Sequence, residues 1–158
     1  MAAAAAGASI DLATLAEQAQ RLRAAGDGLL AEGAGGLLVP YRGSFTAADL
    51  AARLALPVLV VARAALGTIN HTALTLAELQ RRGLPLAGVI LSESLQATHD
   101  PALDASNQIA IVTGVRPLGL LPYVPDADDD QLAAALLTAL GAPAVAGLLG
   151  ISAARLAV

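Results

Sequence analysis

The chain reads as an α/β protein: a parallel sheet flanked by helices. Helical and strand signals alternate from one end of the sequence to the other. Its strand-like segments are uninterrupted apolar runs rather than alternating ones, the pattern of strands buried on both faces. Its interior must also be aliphatic. Hydrophobic residues make up 56% of the 158 residues and aromatics only 2%, so Ala, Leu, Val and Ile fill the core.

Each element follows from local signals. Ser9 is placed to cap a first helix whose Leu12, Leu15, Ala19 and Leu22 share one face, with Gly26 ending it. Leu29 to Ala31 reads as a short buried strand leading into Glu32-Gly-Ala-Gly-Gly36. A second apolar stretch, Leu37 to Val39, is closed by Pro40. Thr46 is a cap for a helix running through Leu54, on which Asp49 takes a surface position. Pro57 to Ala62 is a β-branched run, read as a buried strand. A helix over 69–82 ends at Gly83, and Leu86 to Leu91 is the next buried strand. A polar loop spans 93–103, a helix near 104–113 stops at Gly114, and Leu118 to Leu121 is a last short strand before Pro122. Asp128 to Asp130 open a further helix, where negative charge suits the helix N-terminus. No repeat or linker divides the chain, so 1–158 is read as one domain.

Charge and composition exclude several classes. The net charge of −4 argues against a general nucleic-acid binder, which needs a basic face for phosphates. All nine cations are Arg; no Lys is present. Without Cys there is no disulfide framework, thiolate metal site or Cys nucleophile, which fits a cytoplasmic protein. Met1 to Ser9 is an Ala run lacking the basic start of a secretory signal. Leu132 to Ala154 carries no charge and has the length of a bilayer span. Gly141, Pro143, Gly147 and Gly150 interrupt it, so two packed Ala-rich helices are expected and no membrane association.

Ligands of open α/β sheets bind beyond the carboxyl ends of the strands. The loops there are 32–36, 63–70, 92–99 and 122–128. In the first, Glu32 beside three glycines is either a Mg²⁺ ligand next to an anion nest, or a solvated carboxylate in a tight turn. It is not a P-loop, which requires Gly-Lys-Ser/Thr. In the second, Gly67 and Thr68 offer free amides at a helix start to a carboxylate or phosphate, and Asn70 adds a side-chain donor; alternatively Thr68 is a plain cap and Asn70 solvated. His71 is a general base or, lacking a nearby acid, structural. Ser92, Glu93, Ser94 and His99 read as a solvated loop. Asp126, Asp128, Asp129 and Asp130 read as a charged helix start rather than a metal site, since a calcium loop's spacing is missing.

Taken in order, Glu32-Gly-Ala-Gly-Gly-Leu-Leu-Val-Pro40, Thr46-Ala-Ala-Asp-Leu50, Leu66-Gly-Thr-Ile-Asn-His-Thr72, Leu86-Ala-Gly-Val-Ile90 and Leu118-Gly-Leu-Leu-Pro122 resemble the dethiobiotin synthetase family, from Ser9-Ile-Asp-Leu12 to about Leu140. The resemblance implies a P-loop NTPase-like, Rossmann-like three-layer fold, here lacking its first strand and P-loop. It implies an ATP-dependent, Mg²⁺-requiring closure of the cyclic urea of dethiobiotin from 7,8-diaminopelargonate and CO₂ in biotin synthesis, by a cytoplasmic homodimer. On the matching positions, Glu32 would be a Mg²⁺ ligand and Gly35 would offer its backbone near a carbamate. Gly67, Thr68, Ile69 and Asn70 would hold the substrate carboxylate across the dimer interface. Ser92 and Pro122 would border the nucleotide base. The family has Asn where Ser92 stands, and a hydroxyl cannot make the bidentate amide contact. The family's P-loop, catalytic lysines and a further metal-binding Asp lie before the matching part, so no catalytic residue is identifiable and the isolated chain is expected to be incompetent. The alternatives are a non-catalytic dimerisation or ligand-binding module, and a neighbouring P-loop ligase or amidotransferase family.

Overall fold

The computed structural model describes Gly7, residues 11–26, 28–94, 105–152 and Leu156. They form two compact units, residues 1–57 and 58–158.

In the first unit, helix α1 spans Leu12–Ala25. Its cap is Asp11, not Ser9, which lies outside the described residues. The Asp11 carboxylate accepts from the Ala13 amide at 3.0 Å and the Thr14 hydroxyl at 2.6 Å. These two donors, the hydroxyl foremost, hold its carboxyl below the ordinary range. Leu12, Leu15 and Ala19 are half-buried as their spacing predicts, but Leu22 is 62% exposed. The helix packs on α2 (Ala47–Leu54). Residues 29–31 are not a strand, and Leu30 is 86% exposed. Three apolar residues form a strand only when a neighbour completes the ladder, and the ladder of this unit lies elsewhere. That ladder is an antiparallel pair of β1 (Pro40–Arg42) and β2 (Phe45–Thr46). Leu37 and Val39 instead accept hydrogen bonds from the Ala48 and Ala47 amides, at 2.9 and 3.2 Å, satisfying donors at the start of α2.

Thr46 caps α2 as expected, and Asp49 is not a free surface residue. Its carboxylate accepts from the Thr46 amide and hydroxyl, each at 2.7 Å, while the Asp49 amide donates to the Thr46 hydroxyl oxygen at 3.4 Å, which closes a capping box.

The second unit carries the predicted parallel sheet, order β3-β4-β5: Val58–Arg63, Leu86–Ser92 and Gly119–Leu121. Helix α3 (Thr68–Arg81) joins β3 to β4, and α4 (Ala105–Thr113) precedes β5. Only β4 has consecutive fully buried residues, Val89 to Leu91, although its Ala87 is exposed. Val89, Ile90 and Leu91 form the core with Leu76 and Leu79 of α3 and Ile109 of α4. The β3 run is half-buried and Val61 is 62% exposed, correcting the expectation of burial on both faces. In this sheet β4 has a neighbour on either side and β3 has one.

The uncharged tail divides at Gly141 into α5 (Asp129–Leu140) and α6 (Ala142–Leu149), bent by 107°. Among the described residues no single helix is long and apolar enough to cross a membrane. Helix α5 packs on β5 so closely that a Cβ at Gly119 would lie 2.7 Å from Leu140 Cδ2 and collide with the Ala139 carbonyl oxygen.

Candidate functional site at the strand ends

The predicted site residues fall in both units. In the first, Glu32 is exposed, and 33–36 is a turn folded onto the residues that follow. Gly35 has φ +85°, and a Cβ there would stand 3.1 Å from Val39 Cγ2, so both the backbone angle and the space call for glycine. The Gly36 carbonyl accepts from the Val39 amide at 3.0 Å, and the Ala34 amide donates to the Tyr41 phenol oxygen at 3.1 Å. The amides of Gly35 and Gly36 make no hydrogen bond among the described residues and stand available to an anion.

In the second unit the parallel ladder brings three chain positions into line. Arg63 pairs with Ser92, and Ser92 with Leu121, so β3, β4 and β5 end level with one another. Further bonds tie the loops beyond them. The Ala64 amide donates to the Ser92 carbonyl at 2.7 Å and the Glu93 amide to the Leu121 carbonyl at 2.9 Å. The Tyr123 amide donates to Glu93 Oε2 at 3.3 Å. Ser92, the last residue of β4, therefore lies beside Leu121 of β5, which Pro122 follows directly. Residues 92–94 are half-buried rather than a solvated loop, because Glu93 spans from the end of β4 to the loop after β5. No sequence signal distinguished Glu93 from a surface acid: its partner is a backbone amide thirty positions away. His99 lies outside the described residues.

The loop after β3 leads into α3 through Gly67, the helix cap, at φ +91°. Thr68 is not the cap. Its amide donates to Ala65 O at 3.1 Å, and its side chain is buried with Thr72, both hydroxyls lacking a partner among the described residues. The next two amides, Ile69 and Asn70, are first-turn donors with no backbone acceptor, as at any helix start. Asn70 is exposed. The His71 ring lies 3.5 Å from the position a Gly67 Cβ would take, so it covers the cap from outside. The start of this fourteen-residue helix thus leaves the Ile69 and Asn70 amides open, while the Thr68 amide, expected to be free, is taken by Ala65 O.

The acidic cluster is a helix start, as its pattern predicts. Asp128 accepts from the Gln131 amide at 2.8 Å while Gln131 Oε1 accepts from the Asp128 amide at 3.1 Å. Among the described residues no group of three His, Cys, Asp or Glu side chains is placed to hold a metal. Mg²⁺ retains waters and takes one or two carboxylates plus substrate phosphates, so a single exposed Glu32 beside two open amides fits that ion without a protein cage.

The parallel, helix-flanked sheet is that of a P-loop NTPase-like α/β protein. The chain belongs to the AAA-domain family, whose model matches residues 1–131. It is similar to the ATP-dependent dethiobiotin synthetase BioD of Anaeromyxobacter dehalogenans strain 2CP-C, 52% identical over 126 residues, covering 79% of this chain and 56% of that protein. The protein of the same name from Bacillus cereus strain B4264 is 46% identical over 95 residues, 60% of this chain and 39% of that one. The resemblance seen in the motifs agrees with these names. The chain spans about half the length of the curated relatives it matches.

Proposed function

We propose that the chain is part of an ATP-dependent dethiobiotin synthetase, a cyclo-ligase of biotin synthesis acting in the cytoplasm on 7,8-diaminopelargonate, CO₂ and ATP. The observation that carries the reading is the level ending of three parallel strands. There the amide-rich helix start Gly67–Asn70, Ser92 and Pro122 follow one another across the sheet, in a chain about half identical to proteins of that name.

In this reading the first-turn amides of Ile69 and Asn70, with the Asn70 carboxamide, bind the carboxylate tail of the diamine. The α3 dipole adds to that attraction. One substrate amine joins CO₂ as a carbamate, which takes the γ-phosphoryl group of ATP and releases ADP. The second amine then attacks the mixed anhydride, expels phosphate and closes the urea. The Gly35 and Gly36 amides offer hydrogen bonds to the carbamate or phosphoryl oxygens. Glu32 would hold Mg²⁺, which neutralises phosphate charge when bound. Ser92 and Pro122 border the base, and one hydroxyl discriminates bases less sharply than an amide. Catalysis of this kind rests on positioning and charge neutralisation. With no Lys to meet the transferring phosphoryl group, the isolated chain is proposed to be incompetent. Leu66 and Leu74, 87% and 63% exposed beside the carboxylate loop, support a homodimer through this region.

The test is calorimetric titration of the chain with 7,8-diaminopelargonate, alongside ¹⁴C-bicarbonate incorporation with Mg-ATP. Binding weakened about tenfold by Asn70→Ala, the worth of one charge-assisted hydrogen bond, with no labelled dethiobiotin from the isolated chain, is expected. A well-folded chain that ignores the diamine would sink the reading.

A further inference from the structure

The loop bearing Glu32 and Gly35 is held by a side chain to which the proposed chemistry gives no part. Tyr41, in β1, places its phenol oxygen 3.1 Å from the Ala34 amide, which donates to it. A Cβ at Gly33 would stand 3.2 Å from that same oxygen, and one at Gly35 would stand 3.1 Å from Val39 Cγ2. The turn is therefore folded down onto two side chains of the segment that follows, Val39 and Tyr41. Two of its glycines, 33 and 35, are where a side chain would crowd them. The consequence is selective. Of the three successive amides at 34, 35 and 36, the phenol engages the first and leaves the other two open. A phenol that accepts one hydrogen bond keeps its own O–H as a donor.

We propose that Tyr41 is the positioning residue of this loop. Its hydroxyl locks Ala34, so that Gly35 and Gly36 become the loop's donors to an anionic oxygen of the phosphate or carbamate class. The proposal rests on the reading of Glu32 and Gly35 as ligand-facing. Ring packing alone would not achieve it, because the tie is made by the oxygen and not by the ring carbons.

The experiment uses the full ¹⁵N-labelled chain and Tyr41→Phe, which keeps the ring. Amide exchange is read at Ala34 and at Val39, and inorganic pyrophosphate with Mg²⁺ is titrated while the Gly35 and Gly36 amides are followed. Expected in the variant are an Ala34 exchange rate raised about fivefold, as loss of one neutral hydrogen bond allows, an unchanged Val39 rate, and pyrophosphate affinity down at least threefold. Gly33→Ala, which crowds the oxygen without removing it, should reproduce the Ala34 effect and provides the check should Tyr41→Phe unfold. An Ala34 rate equal to wild type in Tyr41→Phe overturns the proposal. So does a faster Ala34 with undiminished pyrophosphate affinity, since the tie would then have no bearing on the ligand. If pyrophosphate moves no loop amide in the wild type, the phosphoryl-transfer reading falls with it, and the Ala34 rate alone decides whether Tyr41 holds the loop.

Discussion

Replacing Gly119 by Ala sets strand β5 against helix α5. The new Cβ would sit 2.7 Å from Leu140 Cδ2 and closer still to the Ala139 carbonyl oxygen. Leu140 can change rotamer, but Ala139 O belongs to the helix backbone, so relief requires the helix or the strand to move. Overpacking of this kind costs about 1–3 kcal/mol, and backbone contact places Gly119→Ala toward the upper end. At about 2–3 kcal/mol, a domain of this size loses on the order of 4–12 °C in Tm. Gly88→Ala is the internal control. Its Cβ would lie 2.6 Å from Leu118 Cδ1, a side-chain end that can swing away, so its cost should stay near ~1 kcal/mol. Urea unfolding of both variants, followed by circular dichroism, gives the comparison. A Gly88→Ala penalty equal to or larger than that of Gly119→Ala would refute the argument that immobile backbone sets the cost. Because β5 leads directly into Pro122, Gly119→Ala should also perturb the loop read as nucleotide-facing, whereas Gly88→Ala should leave it in place.

Two further outcomes follow from charge. Glu78 accepts from Arg81 at 2.6 and 2.7 Å and from Arg82 at 2.5 Å. These hydrogen bonds, Arg81 foremost, hold its carboxyl at about 2 against an ordinary 4.5. A lowered folded-state pKa contributes stability above the unfolded value that is lost as pH falls through the folded one. Wild type should therefore lose urea resistance between about pH 4.5 and 2 more steeply than Glu78→Gln, and parallel curves would remove the ion pair from the account. Glu93→Ala frees the Tyr123 amide and unties the loop after β5 from β4. Tyr123 amide exchange should rise by about fivefold, the worth of one hydrogen bond; an unmoved Tyr123 would mean that Glu93 does not bridge the loops.

The sequence by itself determined the periodic and the locally capped parts of this protein. The runs at 57–62, 86–91 and 118–121, each followed or preceded by a helical period, specify a parallel sheet because buried strands need no alternation and antiparallel hairpins need turns the sequence lacks there. Thr46, Gly83, Gly114 and Asp128 were legible as helix boundaries because capping acts over three or four residues. The loops after 57–62, 86–91 and 118–121 were legible as strand-end loops for the same reason of order, whereas 32–36 follows no strand. Tertiary structure alone decided which apolar runs were buried. Leu29 to Ala31 looks like a strand and is none, and Val61 looks buried and is exposed, because a strand is made by its neighbours and not by its own residues. It also decided what the polar residues do. Glu93 and Tyr41, indistinguishable in sequence from solvated side chains, each take a backbone amide from another segment. Such bonds depend on where two distant stretches of chain are brought to rest, and that placement is set by the packing of the aliphatic core rather than by any motif.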